Sequence, residues 1–183
     1  MNLFGWWKRE QKGNDALQQW RTAWASAIAG DGTSDDELRG RLDGLTTGET
    51  DVEVELEMLD ALQQLREAQA ATANGTLPTV ETGHRVVAAE ACHFSAPASL
   101  ASDQVPASGR VLFTGSRAVF VGGGRTSASP WHMVQEVVRL ERDVLLGRAD
   151  GSAAAHFRFN TFGDAVVCAF LAKQLKHPRR PRL

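Results

Sequence analysis

Cys92 and His93 stand side by side, and a thiol beside an imidazole is the raw material of a cysteine nucleophile with its base. Adjacency works against that chemistry here. Both residues fall in a stretch that reads as β-strand, where successive side chains point to opposite faces. His84, His132 and His156 supply further imidazoles and Cys168 a second thiol, but their spacings fit no zinc-ligand pattern. The two cysteines form no Cys-x-x-Cys pair, and both read as small buried hydrophobes. Carboxylates at i, i+4 such as Glu53 and Glu57 read as a solvated helix face. No convergent constellation is visible, so the expectation is a chain that is not an enzyme, with no cofactor and no metal. An enzyme or metal protein using Cys92, His93 or His132 is the most remote of the alternatives.

Recognition chemistry has more material. Trp131-His132 follows Pro130 and precedes the apolar Met133, Val134, Val137 and Val138. At a rim, Trp131, His132 and Arg125 together would recognise an aromatic, anionic or peptide ligand. Inside, Trp131 is core, which its valine-rich flank favours. Gly122-Gly123-Gly124-Arg125-Thr126-Ser127 reads as a flexible or bulged turn, with backbone amides and one guanidinium offered to an anion as the alternative. At the N-terminus Leu3, Phe4, Trp6 and Trp7 are followed by Lys8 and Arg9. Residues 1–13 are read as an aromatic arm packed in a groove of its own domain or of a neighbouring subunit. The alternative is a membrane interface, where indoles occupy the headgroup layer and the cations meet anionic lipid. Asn2 stands where N-myristoylation requires glycine.

The elements that position these residues divide the chain in two. Residues 14–73 read as helical. Asn14 to Ala29 places Leu17, Trp20, Trp24, Ala27 and Ile28 on one stripe. Ser34-Asp35-Asp36-Glu37 is a capping box opening a short helix with Leu38 and Leu42, expected to end at Gly44. Thr50-Asp51-Val52-Glu53 is a second, opening a longer helix with Val52, Leu56, Leu59, Leu62 and Leu65 on its apolar face and Glu53, Glu55, Glu57 and Glu67 largely elsewhere. That helix should fade near Ala73, and residues 74–80, beginning Asn74-Gly75, read as a linker. Helices this few make a marginal core alone, so they are expected to pack on the rest of the chain, on a second copy or on a partner.

Residues 81–176 read as short strands and then a helix. Gly109 to Thr114 and Arg117 to Val121 are β-rich runs joined by Gly115-Ser116, a hairpin in which the glycine is expected at positive φ. A second hairpin is expected around Asp150-Gly151, between Val144-Leu145-Leu146 and His156 to Phe159. From Thr161 to Lys176 the period changes, and Val166, Val167, Phe170 and Leu171 share a helical face. The fold class expected is α+β: a helical segment, then an antiparallel β-barrel or sandwich closed by a C-terminal helix.

Glu90-x-Cys92-x-Phe94, a polar loop, Gly109 to Thr114, Arg117 to Val121, a Gly-rich loop, Trp131 to Val138 and a closing helix resemble the GRAM and bacterial pleckstrin-homology-like group. The resemblance covers the C-terminal half. It implies a seven-stranded barrel capped by a helix, used for binding lipid headgroups or protein segments. Val86 to Gly109 departs from the lipid-binding members, because it lacks the Lys and Arg that a multiply charged phosphate needs.

The 183 residues are 43% apolar and 23% charged, ordinary for a globular chain. No apolar run reaches the length of a bilayer span, and no signal-peptide core is present, so the expected compartment is the cytoplasm, with membrane association as a further option. The net charge of −2 hides an asymmetry: 7 basic and 14 acidic residues through Thr79, against 13 and 8 from Val80 onward. Residues 177–183 form a basic tail, which without an aromatic stacking surface gives nucleic acid little to hold. The function expected is a non-enzymatic cytoplasmic interaction module that binds a protein partner or itself as a homo-oligomer. The alternative is a peripheral membrane protein that binds anionic lipid through Trp6, Trp7, Lys8, Arg9 and the basic C-terminus.

Overall fold

Two indoles organise the first helices. The computed structural model describes residues 3–46, 51–101 and 107–177, with side chains from Asp15 onward. It divides into two compact units, residues 1–64 and 65–183. The first holds α1 (Leu3–Ala29), α2 (Asp35–Thr46) and the opening turns of α3 (Glu53–Ala71). Leu17, Trp20, Trp24 and Ala27 of α1 are buried, as the stripe predicts. Each buried indole N–H finds a carbonyl on another helix: Trp20 Nε1 donates to Leu38 O at 2.8 Å and Trp24 Nε1 to Met58 O at 2.6 Å. Tryptophan here supplies apolar bulk and a polar tether together.

The helix ends follow local chemistry. α1 closes in a Schellman arrangement, with Gly30 at φ 94, its N–H on Ala27 O, and the Asp31 N–H on Ser26 O. Ser34 Oγ accepts from Glu37 N at 3.1 Å, as the capping box requires. The helix does not stop at Gly44 but runs to Thr46. Thr50, the cap read for α3, lies outside the described residues. Asp51 Oδ1 accepts from Glu53 N at 3.0 Å. The backbone of residues 3–13, read as a separate arm, is continuous with α1.

The apolar face of α3 departs from its expected phase. Leu56 is 48% exposed, and Glu55 is 1% exposed. Glu55 shares a face with Met58, Leu59 and Leu62, its i+3, i+4 and i+7 neighbours, so helical geometry carries its carboxylate inward. Arg21 meets it there, with Nη2 at 2.6 Å and Nε at 2.7 Å from Oε1. Arg21 is 44% exposed, so the pair is only partly buried; removing the guanidinium leaves the Glu55 carboxylate without its partner at a cost of about 1–3 kcal/mol, whereas an apolar pair of similar volume is close to neutral. Arg21→Met should therefore lower the unfolding free energy of the full chain by about 1–3 kcal/mol, and Arg21→Met with Glu55→Leu should recover most of it. Urea denaturation of the four members of this cycle checks both expectations.

The second unit begins with the end of α3 and turns at Gly75, whose φ is 82. Among the described residues seven strands follow: β1 (Cys92–Leu100), β2 (Ala107–Thr114), β3 (Arg117–Gly122), β4 (Arg125–Pro130), β5 (Glu136–Leu140), β6 (Asp143–Gly147) and β7 (Ala153–Phe159). They form one antiparallel sheet in the order β4-β3-β2-β1-β7-β6-β5, followed by α4 (Phe162–Lys176). Two meanders, β1 to β4 and β5 to β7, are joined where β1 pairs with β7. The α+β class is as expected. The sheet is not a closed barrel, because β4 and β5 lie at its two ends and do not pair.

One apolar core serves both meanders. Phe94, Val111, Phe113, Phe120, Val137, Leu146 and Phe157 meet Ala165, Cys168, Leu171 and Ala172 of α4 in a single cluster. Thr161 caps α4 by accepting from Asp164 N at 3.1 Å. Gly109 and Gly122 pair directly between β2 and β3, and a Cβ on Gly109 would sit 2.3 Å from Val121 O and 2.8 Å from the Phe120 ring. These strands approach as closely as they do because both positions lack a side chain. On the other face Val87, Cys92, Leu112 and Val119 form a small second cluster. Glu90 locks that segment down, accepting from Ser116 Oγ at 2.5 Å and Arg117 Nη2 at 2.8 Å.

Three local expectations change. Gly115 has no positive φ; Thr114 Oγ1 closes that turn by accepting from Ser116 N and Arg117 N. The Gly-rich loop is a two-residue hairpin, with Gly123 at φ 57 and Gly124 at φ 72, and Thr126 and Ser127 belong to β4. The Trp131 to Val138 stretch, one unit in the resemblance, divides: Trp131 to Met133 is a 3₁₀ turn, and the strand begins only at Glu136.

Asp143 clamps β6 to β7. Arg158 grips it in a fork, Nε to Oδ1 and Nη2 to Oδ2 both at 2.9 Å, and His156 Nε2 lies 3.3 Å from Oδ2. The bond from Arg158 holds the Asp143 carboxyl below its usual range. A carboxyl whose pKa is lower folded than unfolded contributes stability that is complete above its ordinary value and is lost as pH falls through the lowered one. Asp143→Asn should thus destabilise at pH 7 by up to about 1 kcal/mol, with the gap to the parent narrowing below about pH 4. Urea melts at pH 7 and pH 3 decide it; an equal gap at both would sink the assignment.

Candidate functional site

The side chains singled out for recognition do not converge. Trp131 is 4% exposed; its ring meets Phe113 edge-on at 4.9 Å, and its Nε1 donates to Thr114 O at 2.8 Å. This is a core residue with its polar atom satisfied. His132 next to it is exposed. Arg125 is exposed at the far end of β4, five residues along an extended strand and so about 16 Å from Pro130, which Trp131 follows. The strand thus sets Arg125 at the opposite end of β4 from the Trp131-His132 pair. Trp6, Trp7, Lys8 and Arg9 lie on the backbone of α1, and their side chains are outside the described residues.

Four of the residues with catalytic potential, both cysteines with His93 and His156, are buried or engaged elsewhere. Cys92 is buried with Sγ directed at Phe94 O, 3.1 Å away. Cys168 is fully buried, and desolvation pushes its thiol pKa well up, which suppresses the thiolate. His93 Nδ1 contacts Pro78 O at 2.8 Å, joining the linker to β1. His156 belongs to the Asp143 clamp. Among the described residues no three His, Cys, Asp or Glu side chains gather closely enough to hold a metal ion.

A cavity of about 240 Å³ opens between the last turn of α3, the following loop and α4. Gln69, Thr72, Leu77, Phe170, Gln174 and Leu175 line it, and no lining side chain titrates near neutrality. Amides and a hydroxyl over an apolar floor can orient a small guest, but they supply neither acid, base nor nucleophile.

Among the described residues the most accessible apolar surface lies at the end of the sheet. β5 pairs with β6 on one side, and among the described residues no strand pairs with its other side. Alternation turns Glu136, Val138 and Leu140 to the exposed face and Val137 to the core. Val138 is 40% exposed, Leu140 73%, and Met133 just before the strand 46%. The turn after Leu140 places Glu141 at φ 52, a conformation that glycine or asparagine adopts more easily. α4 packs against β5, and Lys176 Nζ donates to the Gln135 carbonyl. The arrangement presents backbone hydrogen-bonding groups beside an apolar stripe, the two elements by which a sheet edge takes up another strand. Reading Met133 to Val138 as a single apolar block hid this. The period-two pattern of Glu136, Val138 and Leu140 was the signal that separates the outward residues from Val137.

No protein-family model matches the chain, and no curated protein matches it. Solved structures do. The chain is similar to the C-terminal domain of an unknown protein from Leishmania infantum, at 11% identity and a TM-score of 0.42 over 49% of this chain and 88% of that one. It is similar to Inner Membrane Complex Sub-compartment Protein 1 from Toxoplasma gondii, at 17% identity and a TM-score of 0.38 over 55% and 97%. It is also similar to Vav1 inhibited by an allosteric inhibitor, at 9% identity and a TM-score of 0.43 over 92% of this chain and 46% of that one. The chain thus spans most of the first two structures and under half of the Vav1 structure.

Proposed function

We propose that this chain is a non-enzymatic interaction module whose second unit is pleckstrin-homology-like, and that it binds a protein segment as an added strand along β5. The observation that carries the reading is the unpaired edge of β5 with Val138 and Leu140 exposed beside it. In strand addition, main-chain hydrogen bonds give affinity and alternate side chains give specificity. The seven strands and closing helix support the pleckstrin-homology-like part, since they are the elements the resemblance implies. The cavity without titratable groups, the inward Cys168 and the engagement of His93 and His156 support a role in binding over catalysis. No helix among the described residues is long and apolar enough to cross a membrane.

A photoreactive phenylalanine analogue placed at Val138, and separately at the exposed Thr126 of β4, tests this in the full chain inside the cells that make it. Covalent protein adducts from position 138 and none from 126 are expected. No adduct at 138, or equal labelling at both positions, would overturn the reading. Co-sedimentation with phosphatidylcholine vesicles, with and without about one fifth phosphatidylserine, provides the competing arm. Pelleting that needs the anionic lipid and is lost in Trp6→Ala/Trp7→Ala, with no adduct at 138, would replace protein binding by membrane binding.

A further inference from the structure

We infer that the strand added along β5 is β5 of a second copy, giving a two-fold dimer through one continuous sheet; this rests on the docking-edge reading above. Sheet edges in monomers are ordinarily guarded by proline, lysine, bulges or a covering element. β5 contains no proline, lysine or bulge, and Arg139 is its one inward-facing charge: Glu136-Val137-Val138-Arg139-Leu140 runs in unbroken register with β6 through five residue pairs. The other edge differs. β4 opens on Arg125, ends in Pro130, carries small polar residues between, and turns Ser129 Oγ to Ala154 O at 3.0 Å. Exposed aliphatic surface is therefore a property of the β5 end.

The sequence of β5 also selects a register with itself. A two-fold axis normal to the sheet keeps each face on its own side, so outward residues must oppose outward residues. Centred on Val138, the pairing sets Val138 against its own copy, Glu136 against Leu140 of the second copy, and Val137 against Arg139. No like charges stand opposite each other. Moving the axis to Arg139 opposes two guanidiniums, which is destabilising in a cross-strand pair. Moving it to Val137 sets Leu140 opposite residue 134, before the strand begins. The central register alone pools Val138 and Leu140 of both copies into one apolar stripe. Such a contact uses up the edge on both copies and closes at the dimer. Five residues a side make a small interface, so self-association should fall at roughly 10–500 µM.

Because Val138 faces itself, one substitution tests the geometry. Sedimentation of the full chain from about 5 µM to about 1 mM should show a mass rising toward twice that of the monomer. Val138→Lys and Val138→Glu, at an exposed position, should each keep the parental circular dichroism and melting temperature and each associate at least about tenfold more weakly. An equimolar mixture of the two should regain a dimer, since the axis then sets Lys against Glu. A wild-type chain that stays monomeric at every concentration overturns the proposal, as does undiminished association of Val138→Lys or a mixture that stays monomeric. If the wild type is monomeric while crosslinking at position 138 yields an adduct of another mass, self-pairing fails and the docking edge stands. If crosslinking there yields nothing, the docking edge fails as well.

Discussion

Trp131 solves the problem set by a sheet that does not close. β4 and β5 end the sheet without pairing, so on the side away from the β1–β7 ladder no backbone pairing holds the two meanders over their shared core. Side chains do it, and Trp131 stands where the chain passes from one meander to the other. Its backbone N–H donates to Ser116 O at 3.0 Å and its indole to Thr114 O, so one residue fastens the β4–β5 connection to the β2–β3 turn. The edge-on contact with Phe113 adds about 0.5–1.5 kcal/mol to the area that the ring buries. The same role keeps Trp131 from any rim site.

Leaving the sheet open determines where function can lie. A closed barrel has no edge to offer. Here the seam concentrates unpaired backbone at β4 and β5, and the two ends differ in side-chain character. Strand β4 is polar and small, whereas β5 couples its edge to aliphatic surface beside a helix. The polar constellations that invite a chemical reading serve architecture instead: Glu90 with Ser116 and Arg117, Asp143 with Arg158 and His156, and Glu55 with Arg21 each pin one element to another.

The sequence was most legible where one periodicity dominated. Leu17, Trp20, Trp24 and Ala27 announced their helix face, the hairpin partners around Gly115-Ser116 stood out as β-rich runs, and the final helix showed its change of period. The missing parts depended on competition between weak local signals. Arg125 to Pro130 has little apolar content, and it becomes a strand because β3 supplies six consecutive pairing partners. Glu55 looked like surface because charge ordinarily is; its burial follows from Arg21, which lies 34 residues earlier on another helix. Gly115 suggested positive φ, but the hydroxyl of Thr114 closes the turn by a different route. At the site itself, Val138 was visible as an apolar residue, and its exposure followed only from knowing that β5 ends the sheet.

The ladder between β1 and β7 also has a kinetic meaning. It holds three residue pairs, Ala98–Phe159, Ser99–Arg158 and Leu100–Phe157, between segments roughly sixty residues apart, while every other strand pair joins sequence neighbours. Local hairpins form within microseconds, but a contact across such a loop must first overcome the entropy of closing it. Each meander can therefore zip up on its own. The step that joins them sets the pace of folding, and until it is complete the strands that will be central are exposed as edges themselves.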